Sequence, residues 1–215
     1  MASPQLPMAP SASPTIYFGY GSNLWLHQMT TRCPTSTYLG VARLPNYQWI
    51  INDRGYANVV EVTDSNSTSV SPYDDDVVFG LVYSLEAEDE KRLDKNEGVP
   101  VAYIKEMLEC EFWPSDTEHK VDTSKDPEKK EDMLVYIDRN RVQPDKPREE
   151  YIYRMNQGIT DAVKLGVPED YVRDVMRKYI PAQEDDDGKE GERERMAEFA
   201  RGQAAEFRDE SGVFQ

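Results

Sequence analysis

The sequence predicts an α+β domain in which strands dominate the first two thirds and helices close the chain. Three observations carry this. Strand-like runs follow one another between Thr15 and Ile137 with only short helical stretches among them. The run Val77–Leu85, Val-Val-Phe-Gly-Leu-Val-Tyr-Ser-Leu, is nearly continuous in apolar residues, as expected of a strand buried on both faces. Two helical patterns stand together after Pro147 instead of alternating with strands, which argues against an alternating α/β sheet.

Residues 1–14 are rich in Pro, Ala and Ser and read as a disordered leader, without the basic and apolar regions of a signal peptide. A strand over Thr15–Tyr20 then enters Gly19-Tyr20-Gly21-Ser22-Asn23. The glycines let the backbone turn sharply and approach a ligand. Ser22 and Asn23 suit a helix start, and Leu24-Trp25-Leu26 begins an apolar turn behind them. Such a loop can point several N–H groups at one spot, as carboxylate and oxyanion sites require.

Further strands are expected around Tyr38–Ile51, at Tyr56–Val62 and at Val77–Leu85, with an exposed Ser/Asn/Asp-rich loop over Thr63–Asp76. Glu86–Lys95 reads as a short acidic helix. A strand at Val101–Phe112 leads into a mixed-charge insert over residues 114–132, expected to be mobile, and Met133–Ile137 is the last strand. A helix over Arg148–Leu165 starts after Pro147 and stops at Gly166. Another runs from Pro168 to Tyr179. The domain therefore spans residues 15–181. Residues 182–215 form an acidic tail whose Arg193–Phe207 part can make a solvated helix, because no strong apolar stripe is present.

The 215 residues suit one domain with tails. A formal net charge of −16 argues against a nucleic-acid partner, since nothing would neutralise phosphates, and against anionic membrane surfaces. No apolar run approaches the roughly 18 residues of a membrane span. Cys33 and Cys110 have no framework spacing and are expected to be reduced, packed thiols. His27 and His119 are too few for a histidine-based metal site. A cytoplasmic protein without cofactor or metal is expected; the oligomeric state is not legible.

Leu93-Asp94-Lys95-Asn96-Glu97-Gly98-Val99 is the second chemical signal. Glu97 stands at a helix exit beside a glycine, where a carboxylate can be turned into a cavity and its pKa raised by desolvation. Ser22 is not in a Gly-x-Ser-x-Gly elbow, and beyond His27 no histidine base lies near it in sequence. No Gly-Lys-Ser/Thr follows the glycines, so the loop is not a phosphate-binding loop.

On these residues the chain resembles the γ-glutamylcyclotransferase family. The matching blocks are Tyr20-Gly21-Ser22-Asn23-Leu24, Val41-Ala42-Arg43-Leu44, Leu93-Asp94 with Glu97-Gly98-Val99, Tyr151, and Gly158–Tyr171 with its Leu165-Gly166-Val167-Pro168 turn. The resemblance covers residues 15–181. It implies a closed, mixed β-barrel flanked by helices and an intramolecular transamidation without cofactor. The α-amine of a γ-glutamyl compound attacks its own γ-carbonyl and gives 5-oxoproline and a free amine. The resemblance makes Glu97 the general base and acid. The amides of Gly21, Ser22, Asn23 and Leu24 hold a substrate carboxylate or oxyanion, and Tyr20, Tyr103, Tyr136 and Tyr151 surround the γ-glutamyl group. Arg43 can meet a substrate carboxylate, although a structural salt bridge fits it better. The partner implied is a small γ-glutamyl substrate. Asn23 and the carboxy-terminal helices resemble the branch acting on γ-glutamyl amino acids, whereas Trp25 and the insert depart from it. That leaves glutathione, or a larger glutathione conjugate, as an alternative. A binding module of the same fold that lacks catalysis is a further one.

Overall fold

Five strands close into a barrel because the first has a partner on each side. In the computed structural model, which describes residues 13–62, 76–183 and 190–214, β1 (Thr15–Gly19) pairs antiparallel with β5 (Val77–Leu85), from Thr15 opposite Leu85 to Gly19 opposite Leu81. Its other edge meets β7 (Lys129–Ile137) in parallel, with Tyr17 opposite Leu134. The ring is completed through β2 (Thr37–Pro45) and β6 (Ile104–Pro114) in the order β1-β5-β2-β6-β7. The domain is thus α+β, a closed mixed barrel with helices around it. Closure leaves these strands no free edge to template aggregation. Of the expected segments, residues 1–12 of the leader, 63–75 of the Ser/Asn/Asp-rich loop and 184–189 of the tail lie outside the described residues.

β5 is buried almost end to end, as its unbroken apolar run predicts. Phe79 packs on Trp113 of β6 and on Tyr171 of the helical layer. The single strand expected over Tyr38–Ile51 is two strands. Asn46, at φ 64°, sits in the left-handed region between β2 and β3 (Tyr47–Ile51). Asparagine tolerates that conformation, so the chain leaves the barrel there and β3 pairs only with β4 (Ala57–Glu61).

α1 (Leu26–Arg32) follows a 3-10 turn at Ser22–Leu24, and α2 (Ala87–Asn96) links β5 to β6. α3 (Glu149–Leu165) opens on Glu149 and Glu150, which favour the positive end of the helix, and stops at Gly166 with φ 120°. α4 (Glu169–Asp174) and a 3-10 turn at Met176–Lys178 end the expected domain.

Two expectations are corrected. The 114–132 insert is partly strand, because β7 begins at Lys129, and its loop is anchored. Val121 N–H donates to Leu165 O (2.9 Å) and Thr123 Oγ1 to Gly166 O (3.1 Å), satisfying carbonyls at the end of α3. Such contacts to backbone leave no periodic trace in sequence. The tail helix α5 (Glu190–Ala205) is not free in solvent. Ala197, Ala200, Gln203 and Ala204 are buried, and α5 packs on α1 and α3. Small side chains let the helices approach closely while adding little to an apolar stripe. Arg32 donates Nε to Ala204 O (2.9 Å) and Nη2 to Gln203 O (2.8 Å), binding the carbonyl end of α5.

α3 lies against the Ser22–Leu24 turn at Gly158. A Cβ there would stand 2.9 Å from Leu24 Cβ and 3.0 Å from Trp25 N. Gly158→Ala is therefore expected to cost about 1–3 kcal/mol of stability, despite alanine's better helix propensity. Urea unfolding checks this; an equal or higher midpoint at unchanged slope would mean that the turn moves aside freely.

Candidate active site

The loop after β1 is organised from within. Leu24 N–H donates to Gly21 O (2.9 Å) and Trp25 N–H to Ser22 O (3.0 Å), forming the 3-10 turn. Leu24, expected among the ligand-binding residues, is fully buried in the core, its amide is used by this turn, and it does not line the cavity. Ser22 directs its side chain at the scaffold. Its Oγ accepts from Gln28 Nε2 (2.9 Å) and Arg154 Nη1 (3.0 Å), while its amide donates to the Tyr151 hydroxyl (3.2 Å).

Asn23 is the hinge between loop and acid. Its Nδ2 donates to Tyr17 Oη (2.8 Å) and Glu97 Oε1 (3.1 Å), and its Oδ1 accepts from Gln28 Nε2 (2.7 Å). Two bonds from Asn23 to fixed partners leave its amide in one orientation, which in turn fixes the carboxylate of Glu97. Glu97 is the residue closing α2, and its amide donates to Leu93 O (2.8 Å).

The space left free by protein atoms in the cavity, its open mouth included, is about 490 Å³. Tyr20, Gly21, Ser22, Asn23, Glu97, Tyr103, Tyr136 and Tyr151 all line it, so the two sequence signals, more than seventy residues apart, meet in one place. Burial raises the Glu97 carboxyl above the ordinary carboxylate range. Arg32, the Asn23 hydrogen bond, Arg54 and Arg154 pull the other way without cancelling it.

The four expected tyrosines have protein partners. Tyr20 Oη donates to Tyr136 O (2.5 Å), Tyr136 Oη to Asp94 Oδ1 (2.6 Å) and Tyr103 Oη to Ala57 O (2.8 Å). Tyr151 Oη accepts from the Ser22 and Ala57 amides (3.2 and 3.3 Å). Burial holds all four phenols neutral, with Tyr151 raised to about 12. Arg43 lies elsewhere, ion-paired with Glu111 across β2 and β6 and stacked on Trp113. Cys33 and Cys110 are buried free thiols, both pushed up to about 12 by burial.

Several lining residues have no sequence signal. Arg32, Arg54 and Arg154 bring guanidinium groups to the wall, and Phe207 comes from beyond α5. Arg154 pairs with Glu150 one helical turn away (2.7 Å), both fully buried, and that spacing on α3 is the one hint the sequence contains. Burial lowers Arg32 to about 10, still charged at neutral pH.

The AIG2-like family model matches residues 77–175, which include Glu97 and Tyr151 but not the glycine loop. No curated protein matches in sequence. Among solved structures, an uncharacterized protein from Homo sapiens is similar at 20% identity and TM-score 0.59, covering 88% of this chain and 99% of its own. A gamma-glutamyl cyclotransferase is similar at 20% identity and TM-score 0.58, covering 87% and 98%. YkqA from Bacillus subtilis is similar at 16% identity and TM-score 0.55; the match covers 80% of this chain and 57% of that one.

Two stability tests follow from this geometry. Because the folded protein holds Glu97 above its unfolded pKa, ionising it costs stability as pH rises through the folded value. Glu97→Gln keeps an acceptor for Asn23 without the charge, so it should raise the melting temperature at pH 7–8 and lose that advantage near pH 4. A lower melting temperature at pH 7–8 would contradict the desolvation account. Arg154→Met strands Glu150 in the interior and should cost about 3–5 kcal/mol. A loss below about 1 kcal/mol in denaturant titrations would show Glu150 solvated or repartnered.

Proposed function

We propose that this chain, whose fold is γ-glutamylcyclotransferase-like, is a γ-glutamylcyclotransferase that converts a γ-glutamyl amino acid or peptide to 5-oxoproline and a free amine. The observation that carries this reading is the Glu97 carboxyl, desolvated in the cavity and tied through Asn23 to the glycine loop.

The reaction needs a curled substrate and one proton carrier. The substrate's α-ammonium gives a proton to Glu97 and becomes the nucleophile. Its nitrogen attacks the γ-carbonyl carbon, forming the ring C–N bond and a tetrahedral oxyanion. Glu97 returns that proton to the departing nitrogen as the original C–N bond breaks, then takes the second proton from the ring nitrogen and gives it to the freed amine, so one carboxyl serves in turn as base and acid. Holding both ends of one molecule within reach is worth roughly 7–11 kcal/mol of barrier. In this reading Gly21 and Asn23 form the loop wall around the glutamyl group. Tyr20, Tyr103, Tyr136 and Tyr151 shape its walls as neutral phenols. Ser22 is a buried acceptor for Arg154 and not a nucleophile.

Purified protein incubated with γ-glutamyl dipeptides, glutathione and a glutathione S-conjugate should release 5-oxoproline from at least one of them. Release of glutamate would instead mean hydrolysis and reject the mechanism. Glu97→Gln should lower kcat by about 10²–10⁴. In the wild type, kcat/KM should fall with decreasing pH on an apparent pKa above that of a solvated glutamate, since only the carboxylate accepts the proton. Retained turnover in Glu97→Gln would remove this residue from the chemistry.

A further inference from the structure

We propose that Arg54, fixed by the carboxy-terminal segment 207–214, is a specificity-determining residue that binds a carboxylate of the γ-glutamyl substrate. The inference rests on the reaction proposed above for the substrate's identity.

Three guanidinium groups line the cavity, and in two of them every nitrogen has a protein acceptor. Arg154 uses Nε and Nη2 on Glu150 and Nη1 on Ser22 and Gln28. Arg32 uses Nε and Nη2 on the carbonyls of Ala204 and Gln203 and Nη1 on Asn23. Arg54 is different. It is 2% exposed, its Nε donates to Ser211 Oγ and its Nη2 to Asp209 Oδ1, both at 3.2 Å, and its Nη1 is buried with no protein acceptor among the described residues. An idle charged donor in the interior is costly. Here it belongs to a residue that lines the cavity holding Glu97. Tyr56, whose ring the guanidinium covers at 5.3 Å, also has a buried hydroxyl without a protein partner among the described residues.

Asp209 does not supply the missing acceptor. Its Oδ1 takes the Ser211 amide (3.1 Å), and its Oδ2 takes the amides of Val213 (2.8 Å) and Phe214 (3.0 Å), so the carboxylate is locked into its own turn. Aromatic rings fix the guanidinium plane, with Tyr103 at 5.2 Å and Phe214 at 5.4 Å. Phe214 is itself seated on Gly98, where a Cβ would come within 2.4 Å of the ring. A planar fork held on one edge and on its faces presents its remaining nitrogen in one direction, which suits carboxylate recognition.

A γ-glutamyl amino acid offers two carboxylates, the glutamyl α-carboxylate and that of the leaving amino acid. Three substrates separate them: γ-glutamyl-alanine has both, γ-glutamyl-ethylamide lacks the second, and 4-aminobutanoyl-alanine lacks the first. The last closes by the same attack to 2-pyrrolidinone. Wild type, Arg54→Gln and Arg54→Lys are compared by kcat/KM, or by Ki against γ-glutamyl-alanine for a compound that is not turned over. Arg54→Gln should lose roughly 10- to 100-fold on γ-glutamyl-alanine, the worth of a hydrogen bond to a charged group. On at least one truncated substrate that deficit should shrink to within about threefold, and the substrate on which it shrinks names the carboxylate bound. An equal deficit on all three, or none on γ-glutamyl-alanine, overturns the proposal. If Arg54→Gln does not fold by circular dichroism, Arg54→Lys is read by the same comparison. If the wild type cyclises no substrate, the reaction fails, and Arg54 is judged by calorimetric titration with L-glutamate. Binding by wild type that Arg54→Gln lacks sustains the carboxylate site; equal binding, or none, removes it.

Discussion

The site depends on a buried chain of polar contacts that starts at Glu150 and ends at Glu97. Glu150 holds Arg154, Arg154 holds Ser22 and Gln28, Gln28 holds Asn23, and Asn23 holds Glu97. The links from Glu150 to Asn23 are buried and the last, to Glu97, is half-buried, so along most of the chain a missing partner costs a desolvated donor or acceptor and not merely one weak bond. That asymmetry keeps the glycine loop in register with α3 and orients the acid. The loop glycines supply conformational freedom, but the network removes the choice among conformations. Burying an ion pair is an expensive way to gain stability alone. Its use here is to fix one geometry where the loop, α3 and α2 meet.

The carboxy-terminal segment belongs to this construction. Arg32 sits between the two systems: it binds the carbonyl end of α5 with two nitrogens and touches Asn23 with the third. Phe207 enters the cavity wall and packs edge-on against Tyr56, while its amide donates to Asn96 Oδ1 one residue before Glu97. The segment therefore touches the site through α1, the end of α2, the β3–β4 turn and α3. An overall charge of −16 does not prevent this docking, because the contacts that matter are guanidinium groups meeting carbonyls and a single locked carboxylate.

What was legible in the sequence is local in kind. The Gly-x-Gly loop, the Glu97-Gly98 helix exit, the apolar run of β5 and the stops of α3 each show within a few residues, and the structure has them there. What was hidden is pairing at long range. Nothing near Arg54 reveals Asp209, more than 150 positions away, and alanines at 197, 200 and 204 look like a weak helix until α1 and α3 supply the opposing surface. The break at Asn46 was missed because β-like residues on both sides outweighed one residue with a left-handed backbone. Leu24 was misread for another reason. A motif tells which amides cluster, but the hydrogen bonds of the turn decide which of them are already spent.

The electrostatics of the cavity bear directly on the protonation step of the proposed reaction. Three guanidinium groups at the cavity wall stand against three carboxylates, those of Glu97 in the cavity and of Glu150 and Asp209 behind it, so these charges balance. A γ-glutamyl amino acid enters with two carboxylates and one ammonium. When the ammonium passes its proton to Glu97, the substrate becomes a dianion with a free lone pair and the site gains one net positive charge. An α-ammonium in water holds its proton to about pH 8, so an ordinary glutamate would be a poor acceptor. Burial moves Glu97 towards the amine, and the guanidinium groups pull it back. In the proposed reaction a desolvated acid and cationic walls therefore act in opposite directions on the same proton.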